Sequence, residues 1–422
     1  MTFNKLKALA FASVLLASSS VNAETILRYA TIGEPPSLDV QVGTATISTI
    51  ISNHMFETLY AFDSAFAPQL HLAASDVVKD GGKTLVITLR KGVKFHNGEE
   101  MTSKDVVASL KRWGEHGARG GLLLKSAVSI EATGAYEITI KLEKPNGAWR
   151  NLLAFPNGGP VIHPASVMAT AGAEPIAKAD YIGTGPYKFN EWRPNRYVEL
   201  VKFDDYSANP APASGHAGKR EALADKIRFM PVPDVGTRVS GVQAGDYDYA
   251  ENIPGDLFGD LSEDKSIVIH PGGAPLFGLM FMNSKEGLLK SNFKLRRAIH
   301  TAINKEEALR VSIGPENLWS NEASFFPEGS AWHSSDGIKG FGEGNAEKAK
   351  SMAKEAGYDG TPIKLLVSTN YQFHYDQAAV FTNHLAKAGI NVQMIVVDWA
   401  TLIKKRAQPD QWDIFFTHHG TA

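Results

Sequence analysis

Two short stretches of the sequence carry the side chains most able to do chemistry. Residues 91–113, KGVKFHNGEEMTSKDVVASLKRW, combine a histidine, paired acids, several cations and a tryptophan. His418 and His419 stand together near the end of a predicted strand, residues 412–419. The first stretch could supply a metal ligand or a general acid. The second lies at a strand end, where α/β sheets gather ligands.

The local pattern favours a structural role for residues 91–113. Asn97-Gly98 is a strong turn pair, and Thr102 with Asp105 fits a helix N-cap with an acid at the third helical position. Four apolar residues recur at helical spacing and predict one buried face: Val106, Val107, Leu110 and Trp113. We therefore predict a turn and a capped helix here, without contact to a ligand.

The paired histidines favour a binding role over a metal site. Neighbouring side chains on a strand point to opposite faces, so His418 and His419 cannot readily hold one ion. We predict that one of them faces a pocket and the other faces solvent, and we predict neither a metal nor a cofactor. Three other histidines are interpreted as surface or hydrogen-bonded core residues: His54, His270 and His374.

Four motifs that mark common enzyme classes are absent from this sequence. It has no G-x-S-x-G elbow, no H-E-x-x-H, no phosphate-binding loop and no dinucleotide fingerprint. It has no cysteine, which excludes thiolate zinc sites, cysteine nucleophiles and disulfides. A pair of carboxylates needs no motif, so an exported hydrolase remains an alternative.

Composition and the N-terminus indicate an exported protein. The 422 residues include 43 Lys and Arg against 45 Asp and Glu, a balance that argues against a nucleic-acid-binding protein. Lys5 and Lys7, an apolar run over 8–17 and Val21-Asn22-Ala23 predict a signal peptide at residues 1–23. No other stretch is long and apolar enough to cross a membrane.

Strand-like and helix-like periodicities interleave along the chain, which predicts an α/β fold. Residues 84–95 and 135–145 alternate with a period of two and predict half-buried antiparallel strands. The apolar spacing in residues 47–62, ISTIISNHMFETLYAF, predicts a helix. Residues 381–406 predict a helix, a Gly turn, a buried strand and a second helix, which is the pattern of a crossover unit.

Six ordered segments resemble the solute-binding proteins of peptide/nickel-type ABC importers, the oligopeptide/dipeptide-binding class of family 5. The most specific segment follows Ala74 and reads SDVVKDGGKTLVITLRKGVKFHNGEEMTSKDVVASLKRW. Further segments follow in the family's order: GTGPYKFNEWRPNRYVELVKFDDYS, FMNSKEGLLKSNFKLRRAIHTAINKEEAL, FFPEGSAWH, AKSMAKEAGYDG and VDWATLIKKR. The resemblance extends from Thr25 to the end of the chain.

The resemblance implies a two-lobed periplasmic binding protein fold of type II with an inserted subdomain. It divides the chain into a signal peptide (1–23), the lobe I core (24–58 and 182–268), an inserted subdomain of lobe I (59–181) and an incomplete lobe II (269–422). In the family, lobe II continues past the position that matches Ala422. We therefore expect that the C-terminal part of the fold is missing, through a fragment or a truncated gene product, and a non-functional remnant remains a second alternative.

The resemblance also implies a function without catalysis. The protein would be a periplasmic, monomeric component that captures a peptide or other small solute between two hinged lobes. It would deliver that solute to the permease subunits of an ABC transporter and their ATPase, touching the membrane only through that transporter.

The ligand-binding residues implied by position are Glu34, Pro35, Ser37, Leu38, Leu276, Phe277, Asn283, Trp399, His418 and His419. Arg296 and Arg297 could hold a carboxylate, but their helix context favours a surface or interlobe position.

Overall fold

The structure is a computed structural model that describes residues 24–420 except 118, 271–275, 323, 325–332, 335 and 337–340. The predicted signal peptide, residues 1–23, lies outside the described residues. Residues 24–270 are called the N-terminal part below, and residues 276–420 the C-terminal part. Within the described ranges, no helix combines the length and the apolar character needed to cross a bilayer.

The described residues alternate strands and helices along most of their length. The strands are β1 (Ile26–Thr31), β2 (Tyr60–Phe62), β3 (Pro68–Leu70), β4 (Ala73–Lys79), β5 (Thr84–Leu89), β6 (Ala127–Gly134), β7 (Glu137–Leu142), β8 (Tyr187–Arg193), β9 (Tyr197–Lys202), β10 (Lys226–Pro231), β11 (Tyr249–Ala250), β12 (Leu276–Met282), β13 (Ile363–Ser368), β14 (Val392–Val397) and β15 (Ile414–Gly420). The α-helices are α1 (Thr46–Ser52), α2 (Ser103–His116), α3 (Gly121–Leu124), α4 (Trp149–Ala154), α5 (Ala165–Met168), α6 (Val235–Gln243), α7 (Phe258–Glu263), α8 (Phe293–Ala302), α9 (Lys305–Ile313), α10 (Ala346–Glu355), α11 (Gln372–Lys387) and α12 (Trp399–Arg406). Short 3₁₀ turns lie at Asp80–Gly82, Lys178–Asp180, Gly255–Leu257, Glu316–Leu318 and Pro409–Gln411.

The N-terminal part is built on a five-stranded sheet in the order β11-β1-β10-β9-β8. β1 runs parallel to β10 and β11, whereas β9 pairs antiparallel with β10 and β8. The turn between β8 and β9 contains Asn195 with φ of 57°, a left-handed conformation that Asn tolerates better than most residues. The turn thus falls at the Pro194-Asn195 pair of the sequence.

A separate antiparallel sheet, in the order β4-β5-β7-β6, lies between the segments that form this first sheet. The predicted strand alternation is confirmed, since Leu85, Ile87, Ile138 and Ile140 are all buried in one cluster. Helix α2 covers this cluster with its predicted apolar face. Its N-terminus has the predicted capping box, in which the Thr102 backbone N–H and hydroxyl both donate to the Asp105 carboxylate at 2.8 Å.

The C-terminal part is built on a four-stranded sheet in the order β12-β15-β13-β14. α11 connects the parallel strands β13 and β14, so the predicted crossover unit is present. The prediction of a buried strand within it is wrong. β14 lies at the edge of the sheet and is half-exposed, whereas the central strand β13 is almost wholly buried.

The prediction of one helix through residues 47–62 is also wrong. α1 ends at Ser52, and residues 60–62 form strand β2. Met55 and Leu59 are nevertheless buried, so the apolar spacing predicted their burial correctly. Gly185 N donates to the Met55 carbonyl and Tyr187 N to the His54 carbonyl, and these tertiary bonds replace the bonds of a continuing helix.

One hydrophobic cluster spans both parts of the chain. The N-terminal part contributes Ile32, Leu38 and Ile47 among other residues, and the C-terminal part contributes Leu366, Tyr371, Trp399, Leu402, Trp412 and Phe415. The far side of the C-terminal sheet packs separately against α8, α10 and α11 through residues such as Ile363, Leu365 and Phe416. The two parts therefore meet through apolar side chains on one face of the C-terminal sheet.

Candidate ligand-binding site

The carboxyl ends of parallel strands from both sheets face each other where the two parts meet. Asn370, just after β13, donates from Nδ2 to the carbonyl of Ile32, just after β1, at 2.8 Å. Arg406 Nη2, at the end of α12, donates to Thr44 Oγ1 of the N-terminal part at 2.9 Å. Ligands of open α/β sheets bind outside the carboxyl ends of the strands. The junction between the parts is therefore the candidate site.

Asn370 also fixes the helix that carries one of the predicted binding residues. Its Oδ1 accepts from the backbone N–H of Trp399 at 2.8 Å and lies 3.0 Å from Ser368 Oγ. Asp398 caps the same helix, since its carboxylate accepts from Thr401 N at 2.9 Å. The start of α12 is thereby tied to both parts of the chain.

Five ring side chains of the C-terminal part line this junction and are called the aromatic cluster: Tyr371, Phe373, His374, Trp399 and His418. The Tyr371 ring lies edge-on to the rings of Trp399 and His418, with centroid separations of 4.8 and 4.6 Å. The His418 and Trp399 rings are nearly parallel at 6.1 Å. Edge-to-face and offset contacts are the arrangements aromatic rings prefer. The cluster is therefore a packed surface with defined ring orientations.

The two histidines of the cluster are buried and hydrogen-bonded to each other. His418 Nδ1 lies 3.1 Å from His374 Nε2, and His418 Nε2 lies 3.4 Å from Thr46 Oγ1 of the N-terminal part. Burial lowers the pKa of His418 to about 4 and that of His374 well below its usual value, and neighbouring histidines add to both shifts. Both imidazoles are therefore neutral at pH 7, and one ring donates to the other.

Two polar atoms of the cluster have no partner within the described residues. They are Trp399 Nε1 and His374 Nδ1, and both are buried. Most buried polar groups in proteins are hydrogen-bonded, so each exception needs an explanation. An indole N–H can only donate. The junction thus offers one donor, and a ring nitrogen whose role depends on the tautomer, to a group placed against the aromatic cluster.

The structure brings together several residues that the sequence predicted for the site. Leu38 and Trp399 are buried in the cluster that spans both parts, and Pro35 is buried close by in the chain. His418 is buried in the aromatic cluster, whereas His419 is exposed, which agrees with the alternation of a strand.

Three other predicted residues have their polar groups engaged elsewhere. Glu34 accepts from Nε1 of Trp192, on β8, at 2.5 Å. It also accepts from Asn195 N, in the turn between β8 and β9, at 3.2 Å. Ser37 Oγ accepts from Asp39 N at 3.0 Å. The Asn283 side chain lies within the C-terminal part, where it donates to the carbonyls of residues 409 and 412 and accepts from the N–H groups of residues 285 and 286.

Leu276 and Phe277 are placed by their backbone alone, since their side chains lie outside what the structure describes. They pair with Gly420 and His419 in the antiparallel ladder of β12 and β15. Their backbone therefore lies at the same end of the sheet as His418. Arg296, in contrast, donates to the carbonyls of Leu289 and Lys290 within its own part of the chain.

Sequence reasoning missed the contributions of Thr46, Asn370, Tyr371 and His374. His374 was predicted to be a surface or hydrogen-bonded core residue, and it is buried with one ring nitrogen bonded to His418, but its other ring nitrogen is buried without a partner among the described residues. The available signal was its position in the first turn of a helix that follows a strand of a parallel pair. Among the described residues, no three or more His, Asp or Glu side chains converge as metal ligands.

Residues 91–113 lie in the N-terminal part, where His96 makes structural contacts. His96 accepts from Gly183 N at 3.1 Å through Nδ1, and its Nε2 lies 3.1 Å from the Gly185 carbonyl. Burial lowers the pKa of this histidine to about 4. The ring thus joins the turn after β5 to the segment that leads into β8, a longer-range role than the local turn predicted from the sequence.

Residues 67–422 match the family model of bacterial extracellular solute-binding proteins, family 5. The chain belongs to this family. Among curated proteins it is 28% identical to the probable peptide ABC transporter periplasmic-binding protein y4tO of Sinorhizobium fredii, over 98% of this chain and 79% of that protein. It is 27% identical to the oligopeptide-binding protein AppA of Bacillus subtilis, over 90% of this chain and 70% of that protein.

Solved structures give the architecture of this solute-binding protein. The binding protein AgaA of A. tumefaciens R10, in complex with agropinic acid, superposes with a TM-score of 0.77 and 25% identity over 93% of this chain and 77% of that one. AppA in complex with a nonapeptide superposes with a TM-score of 0.75, over 93% of this chain and 79% of that one. The predicted family and the two-lobed α/β binding-protein fold are therefore confirmed. The predicted lobe and subdomain boundaries stay a prediction.

Proposed function

We propose that this protein captures a peptide or a related small solute between its two lobes in the periplasm. It then presents that solute to the permease of an ABC importer, which works with an ATPase, and it does so as a monomer without catalysis. Membership of a solute-binding family supports this role, as do relatives named for peptide, oligopeptide and glutathione binding. The periplasmic location rests on the predicted signal peptide and on the name of the Sinorhizobium fredii relative, a periplasmic-binding protein.

The observation that carries the proposal is the pair of polar atoms in the aromatic cluster that have no partner among the described residues. Trp399 Nε1 and His374 Nδ1 lie where strand ends of both parts converge, and the indole N–H can only donate to an acceptor. Carbonyl and carboxylate oxygens of a peptide are such acceptors. Rings from one part and apolar side chains from the other would enclose the rest of the solute.

Binding is tested with a panel of probes on the purified protein. The panel contains glutathione, mixed dipeptides, a nonapeptide and agropinic acid, and the readouts are thermal melting and tryptophan emission. A probe at a hundred times its Kd should stabilise the protein by about 2.7 kcal/mol. If no probe raises Tm or changes emission, the proposed function is wrong for these solute classes.

The position of the site is tested by Trp399→Phe. This change keeps an aromatic ring and removes the N–H donor, so affinity should fall about three- to tenfold. Trp149→Phe is the matched control, because Trp149 is equally buried, at 6% exposed, but packs in the cluster of the separate antiparallel sheet. Equal affinity of the Trp399→Phe variant and the wild type would place the solute elsewhere.

A further inference from the structure

Two arginines from different parts of the chain border the same small region beside the aromatic cluster. Arg119, beyond the end of α2, donates from Nε to the Asn157 carbonyl at 3.0 Å. Arg406, at the end of α12, donates from Nη2 to Thr44 Oγ1 at 2.9 Å. Asn157 Nδ2 in turn donates to the Thr44 carbonyl at 2.9 Å, so one short chain of contacts links the two guanidinium groups.

Gly158 confirms how closely this region is packed. A Cβ atom added there would lie 3.0 Å from Thr44 Cγ2 and 3.7 Å from Arg119 Nε. The Arg119 guanidinium also lies over the Phe155 ring, 4.5 Å from its centroid. This cation–π contact restrains the guanidinium beside the ring.

Neither guanidinium has an acidic partner among the described residues. Each has one hydrogen bond to a neutral oxygen, which leaves most of its five N–H donors unused within that part of the chain. Both arginines are half-buried, and burial lowers the pKa of each with no carboxylate opposing it. Burying a cation without a counter-charge costs free energy, so a protein seldom does this twice in one place without a reason.

The charges of both arginines reach His419. Partial burial of this ring lowers its pKa, and Arg119 and Arg406 each add to the shift. A cation at the end of α12 is favoured by the helix dipole, but that effect explains neither its half-burial nor a second cation nearby. The arrangement is repulsive without an anion and becomes attractive when an anion lies between the two guanidinium groups.

We propose that Arg119 and Arg406 together bind the carboxylate of the captured solute. The inference rests on the proposed function and deepens it, because it assigns the solute to the organic anions, whether a peptide with a free C-terminus or another carboxylic acid. Guanidinium groups match carboxylates geometrically and can bind them through two parallel hydrogen bonds. Since one arginine belongs to each part of the chain, the bound carboxylate also ties the two parts together.

The test compares acids with their amides on the full protein. The probes are dipeptides and their C-terminal amides, with agropinic acid as a carboxylic acid that is not a peptide, and the measurement is isothermal titration calorimetry. Removing the charge from the probe, or changing Arg119→Gln or Arg406→Gln, should each lower affinity about ten- to hundredfold. Amide affinity should change less than about twofold in the same variants.

Several outcomes separate this inference from the proposed function. Arg193→Gln is the control, because that arginine is 52% exposed and already pairs with Glu191. Arg119→Lys and Arg406→Lys keep the positive charge and should recover part of the affinity. If a Gln variant does not fold, these Lys variants and the acid–amide comparison on the wild type test the inference in its place. Equal binding of acids and amides by the wild type overturns the inference and leaves the function intact. Binding of no probe at all overturns both.

Discussion

Arg112 and Arg119 lie close together in the sequence, yet they differ in their burial and in their charged partners. Arg112, on α2, is buried and forms a two-point ion pair with Asp39, with further hydrogen bonds to Gln41 and to the carbonyls of Gly172 and Glu174. Arg119 is half-buried and has one hydrogen bond, without an acid, among the described residues. A buried charge whose partners lie inside the protein stabilises the fold, whereas a charge without such partners is available to bind a ligand.

The largest effect is expected from breaking the buried pair. Asp39→Ala leaves the Arg112 guanidinium buried without its carboxylate and should lower the free energy of unfolding by about 3–5 kcal/mol, measured by urea denaturation. Asp39 also accepts from the N–H groups of Gln41 and Ile176, so the loop after β1 loses two anchors. Asp205→Ala is the control, since its pair with Lys94 is exposed and contributes about 0–1 kcal/mol. Similar losses in both variants would remove the distinction between the two kinds of charge.

An intermediate effect is expected at the contact between the two parts. Asn370→Ala removes the hydrogen bonds to Ile32 O, Trp399 N and Ser368 Oγ, and should lower the free energy of unfolding by about 2 kcal/mol. It should also weaken solute binding, because Trp399 loses its support. Asn391→Ala removes an exposed hydrogen bond to Gly360 within the C-terminal part and should leave solute affinity unchanged. Unchanged affinity in the Asn370 variant would show that the contact does not support the site.

Per unit of pH, the smallest effect is a dependence of stability on pH. Because burial lowers the pKa of His418 to about 4, the unfolded chain binds a proton between about pH 6.5 and pH 4 that the folded chain does not. This contribution to stability is present above pH 6.5 and is lost as the pH falls toward 4, at about 1 kcal/mol per pH unit. The groups facing His418 are His374, His419, Arg406, Tyr371 and Thr46.

The His418 contribution is isolated by comparing His418→Gln with the wild type in urea denaturation from pH 4 to pH 7. The variant should show a shallower slope in this range, and His374→Gln should do the same because the pKa of His374 is also lowered. Parallel slopes in all three proteins would mean that these histidines do not remain neutral in the folded state.

The sequence predicted most of what local pattern controls. The Thr102–Asp105 cap and the alternation in β7 involve neighbours in the chain, and both are present. The end of α1 at Ser52 was not predictable in this way, because the bonds that replace the helix come from residues 185 and 187. The spacing of apolar residues predicts which side chains are buried, but tertiary contacts decide whether the backbone stays helical.

The candidate site was predicted less completely for the same reason. Trp399, His418 and Leu38 were named from positions implied by the family, but the reason for their burial is a contact between distant segments. Thr46 meets His418 across 372 positions, and Ile32 meets Asn370 across 338. Arg119 and Arg406 each look like an ordinary surface arginine in sequence, and only the hydrogen bond between their partners Asn157 and Thr44 sets them apart.

The Asn370–Ile32 hydrogen bond has a consequence for the kinetics of capture. It holds the two parts together through contacts of the chain itself, and Trp399 is only 6% exposed in this arrangement. A solute that binds the indole, as proposed, needs conformers in which the two parts have separated at this bond. Its association rate should then scale with the population of such conformers, whereas its residence time should depend on how firmly the parts close again.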